Sequence, residues 1–243
     1  MKISPLKTRI ITDGCKTEDI VFEYCPEIKE GSILAITSKI VAVCEGNTRS
    51  TMEKNKLSLV RQEADLYLDE EESPYSLTIK DNILIPAAGI DESNSNGRYI
   101  LWPKDSYASA RRIRDMIADK YNLKDFGVII TDSKTTPLRW GTTGISIGHC
   151  GFHALKDYRK TADIFGRPMQ VTVSNQVDGL AASAVLIMGE GNERTPMALI
   201  EDVSFIKFDC KSPTIQEINQ LKIDMDDDIY ASLLNSVTWK KGK

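Results

Sequence analysis

The feature that most limits this chain is a succession of short apolar runs, each cut off by a glycine, an acid or a polar pair. GSILAITSK (31–39) predicts a strand that ends in Ser38-Lys39 and flows into IVAVCEG, a helix with Gly46 as its stop. LTIKDNILIPAAG (77–89) divides into two strand-like runs with Asp81-Asn82 as the turn between them. FGVIITD (126–132) predicts a strand that stops at an acid. TTGISIGHCGF (142–152) and MQVTVSN (169–175) alternate as half-buried strands do, and MALIEDVSFIKF (197–208) returns to strand ahead of a charged tail.

Helical spacing is interleaved with these runs. In DSYASARRIRDMIADKYN (105–122), Ile113, Met116, Ile117 and Tyr121 fall on one face, and Asp105 or Ser106 can cap the start. LSLVRQEADLYLD (57–69) carries a second helical pattern, followed by an acidic, Pro-bearing connection through Glu70–Pro74. DGLAASAVLIMG (178–189) is a small-residue helix closed by Gly189. No period repeats, and strands and helices do not alternate regularly, so the class expected is α+β with a mixed sheet. At 243 residues, 41% hydrophobic and 27% charged, the chain can bury one sizeable core or two smaller ones.

Several function classes fall away. A net charge of −4 offers no basic footprint for nucleic acid or an anionic membrane. LAASAVLIM (180–188) is far short of the roughly 20 residues a spanning helix needs. Met1-Lys2 leads into ISPLKTRII, which lacks the apolar core of a secretory signal. The five cysteines are scattered without a C-x-x-C, so neither a zinc ribbon nor a disulfide framework is implied. A cytoplasmic protein with small-molecule partners is expected.

The chemistry is concentrated in acids at element ends. Asp91 follows ILIPAAGI, Asp132 follows VIIT, and Glu190 follows the helix ending LIMG. Each has a hydroxyl or amide nearby: Ser93 and Asn94, then Ser133, then Asn192. Carboxylates with neutral oxygens suit hard divalent cations, although acids after strands are also common turn formers. No G-x-x-x-x-G-K-[ST] is present, so this is not a P-loop protein. MGEGNERTP (188–196) has flexible backbone beside a helix end, and TSK (37–39) sits at a strand-to-helix junction; either could bring amides to phosphate oxygens. HCGFH (149–153) spaces two histidines four apart, but in a strand with Gly151 between them that spacing does not bring both rings to one zinc. Arg111, Arg112 and Arg114 read most simply as the solvated face of their helix.

Taken in order, GSILAITSKIVAVCEG, AAGIDESN, ASARRIR, GVIITDS, GTTGISIG, KDYRKTADIFGRPMQVTV and DGLAASAVLIMGEG resemble the blocks of the coenzyme F420-0:L-glutamate ligase family, also called F420 γ-glutamyl ligases. The resemblance runs from about residue 8 to residue 202. It implies one catalytic unit over 1–243, with or without two subdomains, in a dimeric α+β fold with nucleotide and metals near the subunit interface. It implies a GTP-dependent amide ligase that joins L-glutamate to a carboxylate acceptor with Mg²⁺ or Mn²⁺, two per site, through an acyl phosphate. Carried over by position, Asp91, Asp132, Ser133 and Glu190 match metal-binding residues, with Asp91 and Asp132 at the catalytic centre. Ser38, Lys39 and Asn94 match contacts to GTP, as does the loop Met188–Thr195 with Gly189, Gly191 and Asn192.

The chain departs from the family in three places. Where many members read D-T-x-G-R-P-x-R, this chain has Asp132-Ser133-Lys134-Thr135-Thr136-Pro137-Leu138-Arg139, with the Gly-Arg pair replaced. Val43 stands where a basic residue is expected, and Gly179 where an acid usually follows the Asp of the small-residue helix. The metal side is kept while groups facing acceptor or phosphates change. That opens a second reading, a γ-glutamyl ligase of folate or another carboxylate, and a third, a nucleotide- and metal-binding regulatory protein without catalysis.

Overall fold

Alternate residues of the central strands reach two different cores, which is why their sequences read as continuously apolar rather than alternating. A computed structural model describes residues 1–25, 27–68 and 76–242. The first half contains β1 (Lys2–Leu6), α1 (Thr17–Tyr24), β2 (Ser32–Thr37), α2 (Ser38–Cys44), β3 (Thr48–Ser50), α3 (Lys56–Glu63) and β4 (Leu66–Tyr67). Then come β5 (Leu77–Lys80), β6 (Ile83–Pro86), β7 (Arg98–Ile100), α4 (Ser106–Tyr121), β8 (Phe126–Thr135) and β9 (Thr142–Cys150). The last elements are β10 (Leu155–Asp157), β11 (Val173–Asn175), α5 (Gln176–Met188), β12 (Met197–Glu201), α6 (Ile215–Gln220), α7 (Ala231–Leu234) and β13 (Lys240–Lys241).

The main sheet has the order β1-β12-β2-β8-β9 and is mixed: β2 runs parallel to β8 and the other neighbours are antiparallel. Leu34 and Ile36 of β2 pack in one core with Val128 and Ile130 of β8 and with Ile113 and Ile117 of α4. Ile33 and Ala35 pack in the other with Ile129, Leu180 and Ala184, beneath α5. Helices therefore cover both faces. At the sheet edge, Gly144 and Gly148 let α5 and α4 come close, since a Cβ on either would fall 2.6 Å from backbone of Ala181 or Ser106. A second sheet, β13-β4-β5-β6, encloses a smaller core with Leu59, Val60, Ile90, Tyr99 and Leu101.

The mixed α+β class is therefore observed, and several local expectations are corrected. The helical run at 57–69 ends at Glu63: Ala64 is extended, and Leu66 and Tyr67 pair with Ile79 and Thr78 of β5. Its last residue, Asp69, and the acidic connection at 70–74 lie outside the described residues. Of 169–175 only Val173–Asn175 is strand, and of 197–208 only Met197–Glu201. The charged tail folds back, so that β13 pairs with β4. β8 does not stop at its acid but continues to Thr135, because β9 goes on pairing with it beyond a register shift between Ile130 and Thr131. Arg114 is not on a solvated face: it is buried and donates to the carbonyls of Lys124 and Phe126. The turn at Asp81-Asn82 is as expected, with φ of 50° and 67°, and Asp105 caps α4 by accepting the Ala108 N–H at 2.8 Å.

Candidate active site

The chain leaving β6 bends tightly. Ala87, Ala88 and Gly89 all have positive φ, and Asp91 then forms an antiparallel bridge with Ile100, exchanging backbone hydrogen bonds of 3.0 and 2.8 Å. This turn aims the Asp91 side chain at the start of α2. Its Oδ2 lies 2.6 Å from Lys39 Nζ, and its Oδ1 accepts the Ser93 N–H. Lys39 Nζ also donates to Ser93 Oγ at 3.0 Å. Burial disfavours the charge on Asp91, but the bond and charge of Lys39, with the Ser93 bonds, outweigh it and hold the carboxyl below its ordinary pKa.

Asp132 lies within β8, two strands from the start of that turn in sequence but close to it in space. The residue keeps some surface, yet its carboxyl is crowded by protein, and burial pushes its pKa up to about 6. Hydrogen bonds from the Trp102 indole N–H to Oδ2 and from the Ser133 backbone act the other way, as does the charge of Lys39, while Asp91 adds to the rise. The two acids are thus differently poised, one ionised against a lysine and one partly desolvated.

The third component is the loop after α5. Gly189 ends the helix with φ 82°, and the Thr195 hydroxyl donates back to the Met188 carbonyl. Asn94 Nδ2 donates to Gly191 O at 3.0 Å, joining this loop to the 91–94 turn. Thr8 N–H donates to Arg194 O at 2.8 Å and Thr37 N–H to Pro196 O at 2.9 Å, so the N-terminal segment and the end of β2 hold its far side. One N–H expected to face phosphate is already taken, since Gly191 donates to Glu193 Oε2 at 2.8 Å.

Together these segments surround a cleft of about 520 Å³. Of the residues singled out from the sequence, Lys39, Asn94, Asp132, Ser133, Met188, Gly189, Glu190, Gly191 and Asn192 line it. Asp91 does not line it directly and reaches it through Lys39, while Ser38 is buried and its neighbours Thr37 and Lys39 face the cleft instead. Glu190 is exposed, and its Oε1 accepts from Thr142 at 3.4 Å. Among the described residues no three His, Cys, Asp or Glu side chains form a ready metal cage. His149 and His153 have separate surroundings: His149 is 1% exposed between Tyr107 and Phe152, whereas His153 Nδ1 lies 2.6 Å from Glu217. Sequence reasoning missed Trp102 and the Thr8–Ile11 wall; no spacing marked them, and a tryptophan in YILWP reads as core.

A helix-covered mixed sheet whose strand ends and one helix end converge on a cleft of acids, amides and a lysine defines a class: an α+β small-molecule site, with no helix among the described residues long and apolar enough to cross a membrane. Similarity to known proteins makes it particular. The chain belongs to the F420-0:gamma-glutamyl ligase family, whose sequence model matches residues 5–202. It is 30% identical over 218 residues to the coenzyme F420:L-glutamate ligase of Methanopyrus kandleri, covering 82% of this chain and 86% of that protein. It is 32% identical to those of Natronomonas pharaonis (74% of this chain, 77% of the relative) and Archaeoglobus fulgidus (72% and 77%).

Proposed function

We propose that this cleft is the active site of a ligase that forms an amide between L-glutamate and the carboxylate of coenzyme F420-0, using GTP and divalent cations. The observation that carries the reading is convergence: Lys39 with Asp91, Asp132 with Ser133, and the Asn94-tethered 188–195 loop come from four distant segments to one cleft in a chain of this family. The donor set fits Mg²⁺ or Mn²⁺. Carboxylates and a hydroxyl are hard oxygens, and no thiol or imidazole lines the cleft among the described residues. Mg²⁺ is commonly held by one or two carboxylates with phosphate oxygens and water, which needs no three-acid cage. Asp91 and Asp132 would hold it, with Ser133 and Glu190 completing the set. Cations held there would supply charge neutralisation for phosphate groups during phosphoryl transfer to the acceptor carboxylate.

The remaining work falls to the chain itself. Lys39 keeps Asp91 ionised and adds a positive charge at the cleft, and Asn94 orders the loop. Ile10, Ile11, Ile40 and Val43 form an apolar wall that would limit water around a hydrolysable acyl phosphate. The test is an orthophosphate-release assay with GTP, Mn²⁺ and L-glutamate over F420-0, dihydrofolate and other carboxylates. Release that depends on glutamate and one of these acceptors supports the reading; none with any acceptor sinks it.

One observation favours a second acceptor. Val43, where resemblance leads one to expect a basic residue, lines the cleft with Ile10, Ile11 and Ile40, and Thr135-Thr136, three and four residues after Asp132 in sequence, replace the Gly-Arg pair. F420-0 carries a phosphodiester, and a folate monoglutamate only carboxylates. Losing a charge-assisted hydrogen bond is worth about 1.5–3 kcal/mol, or roughly ten- to a hundredfold in relative kcat/KM. Turnover of a carboxylate acceptor without a phosphodiester is therefore expected, at a ratio measured by competing both acceptors and weighing the products by mass spectrometry. Product from F420-0 alone would leave only the namesake activity.

A further inference from the structure

One tripeptide touches both acids of the cleft. Ile100 pairs with the backbone of Asp91, and two residues on, the Trp102 indole N–H donates to Asp132 Oδ2. Trp102 is almost wholly enclosed, at 2% exposed, and its backbone is held by Asn47 Nδ2, which donates to Trp102 O at 2.6 Å. The space for the ring comes from Gly89: a Cβ there would fall 2.2 Å from Trp102 Nε1. On the ring's face sits Lys80 Nζ, 5.3 Å from the centroid, itself buried and paired with Glu63 at 2.9 Å.

We propose that Trp102 is a positioning residue for the cation pair-site, fixing the Asp132 carboxylate and its offset from Asp91. This rests on the cation-binding reading of those acids. The physical reason lies in what a filler would do. Phenylalanine could occupy most of the same hole, but it would leave a crowded carboxylate without its side-chain donor and able to swing about its terminal torsion. With the indole in place, Oδ2 is committed to the Trp102 N–H, and together with the hydrogen bond from the Ser133 backbone this fixes how the carboxylate is turned. The cation over the ring draws on its π electrons and strengthens the N–H as a donor. A hydrogen-bonding partner behind a metal-binding carboxylate typically changes metal affinity ten- to a hundredfold.

The test uses the full chain. Trp102→Phe removes the N–H and keeps an aromatic ring. Calorimetric titration with Mn²⁺ should show a Kd raised about tenfold or more, in a variant whose circular dichroism is that of the wild type. A purely structural residue would lower the melting temperature and leave that Kd unchanged. Wild type that binds Mn²⁺ and a folded Trp102→Phe that binds it equally overturn the positioning role alone; wild type that does not bind Mn²⁺ overturns the cation reading and this inference with it. Should Trp102→Phe fail to fold, the wild type still decides. Its three tryptophans give three indole N–H resonances, and those of Trp140 and Trp239 are identified by their loss in Trp140→Phe and Trp239→Phe. Saturating Mg²⁺ should move the Trp102 resonance. One that stays put while calorimetry records Mg²⁺ binding overturns the proposal.

Discussion

At the scale of single residues, charge and burial set the behaviour of the cleft. Asp91→Asn and Asp132→Asn should each lower ligase turnover by about a hundredfold or more, on the order of several kcal/mol in the transition state, with the fold intact. Rates within threefold of wild type for both would remove them from the site. His149 supplies a test away from the cleft. Burial pushes its pKa down to about 4, and neither ring nitrogen has a hydrogen-bond partner. Between that value and the ordinary one near 6.5, the unfolded chain binds a proton that the folded chain refuses. Stability is therefore present above about pH 6.5 and is lost as pH falls towards 4, by up to about 3 kcal/mol from this residue. In His149→Phe the urea midpoint should fall less steeply over that window than in wild type; parallel curves would disprove the assignment. Asp91, Asp132 and Asn94 were legible in the sequence because polar residues at the ends of apolar runs stand out. Trp102 was not, because an indole in an apolar run looks the same whether or not its N–H meets a carboxylate 30 residues away.

At the scale of elements, local signals were reliable where they were self-contained. Helix α4 carries its own apolar face and its own cap, and both were readable. Asp105→Ala should cost about 1 kcal/mol of stability by stranding the Ala108 N–H, read as a lower denaturant midpoint with an unchanged slope; no shift would mean that the cap is replaced by water. Gly89→Ala should cost more, since it meets both a φ of 70° and the Trp102 ring. Leu66 and Tyr67 fit a helical pattern in the sequence because apolar residues there satisfy either period. Pairing with β5 decided for strand. The acid of β8 likewise looks like a strand end in the sequence, whereas its partner β9 extends the ladder past it.

At the scale of the whole molecule, several large apolar side chains stay at the surface of the single chain. Leu138 and Trp140 on the β8–β9 connection, Ile164, Phe165 and Val171 between β10 and β11, and Leu186 on α5 are all strongly exposed. Apolar surface of this kind favours association, and we propose a homodimer that covers part of it. Light scattering should give about twice the 27.1 kDa chain mass, and Leu138→Ser/Trp140→Ser should shift the protein towards the monomer. A wild-type monomer that is fully active at nanomolar concentration would contradict this. What the sequence determined by itself was the main helices and apolar strand runs, the acids beside those runs and, through ordered blocks, the family, because propensity, capping and motif order are written within short stretches of chain. Which of those acids share a cleft, that Lys39 neutralises Asp91, and that an indole and a glycine stand behind Asp132 were decided only by tertiary structure. Those relations join residues 13 to 58 positions apart, and sequence spacing carries no distance once the chain has folded back on itself.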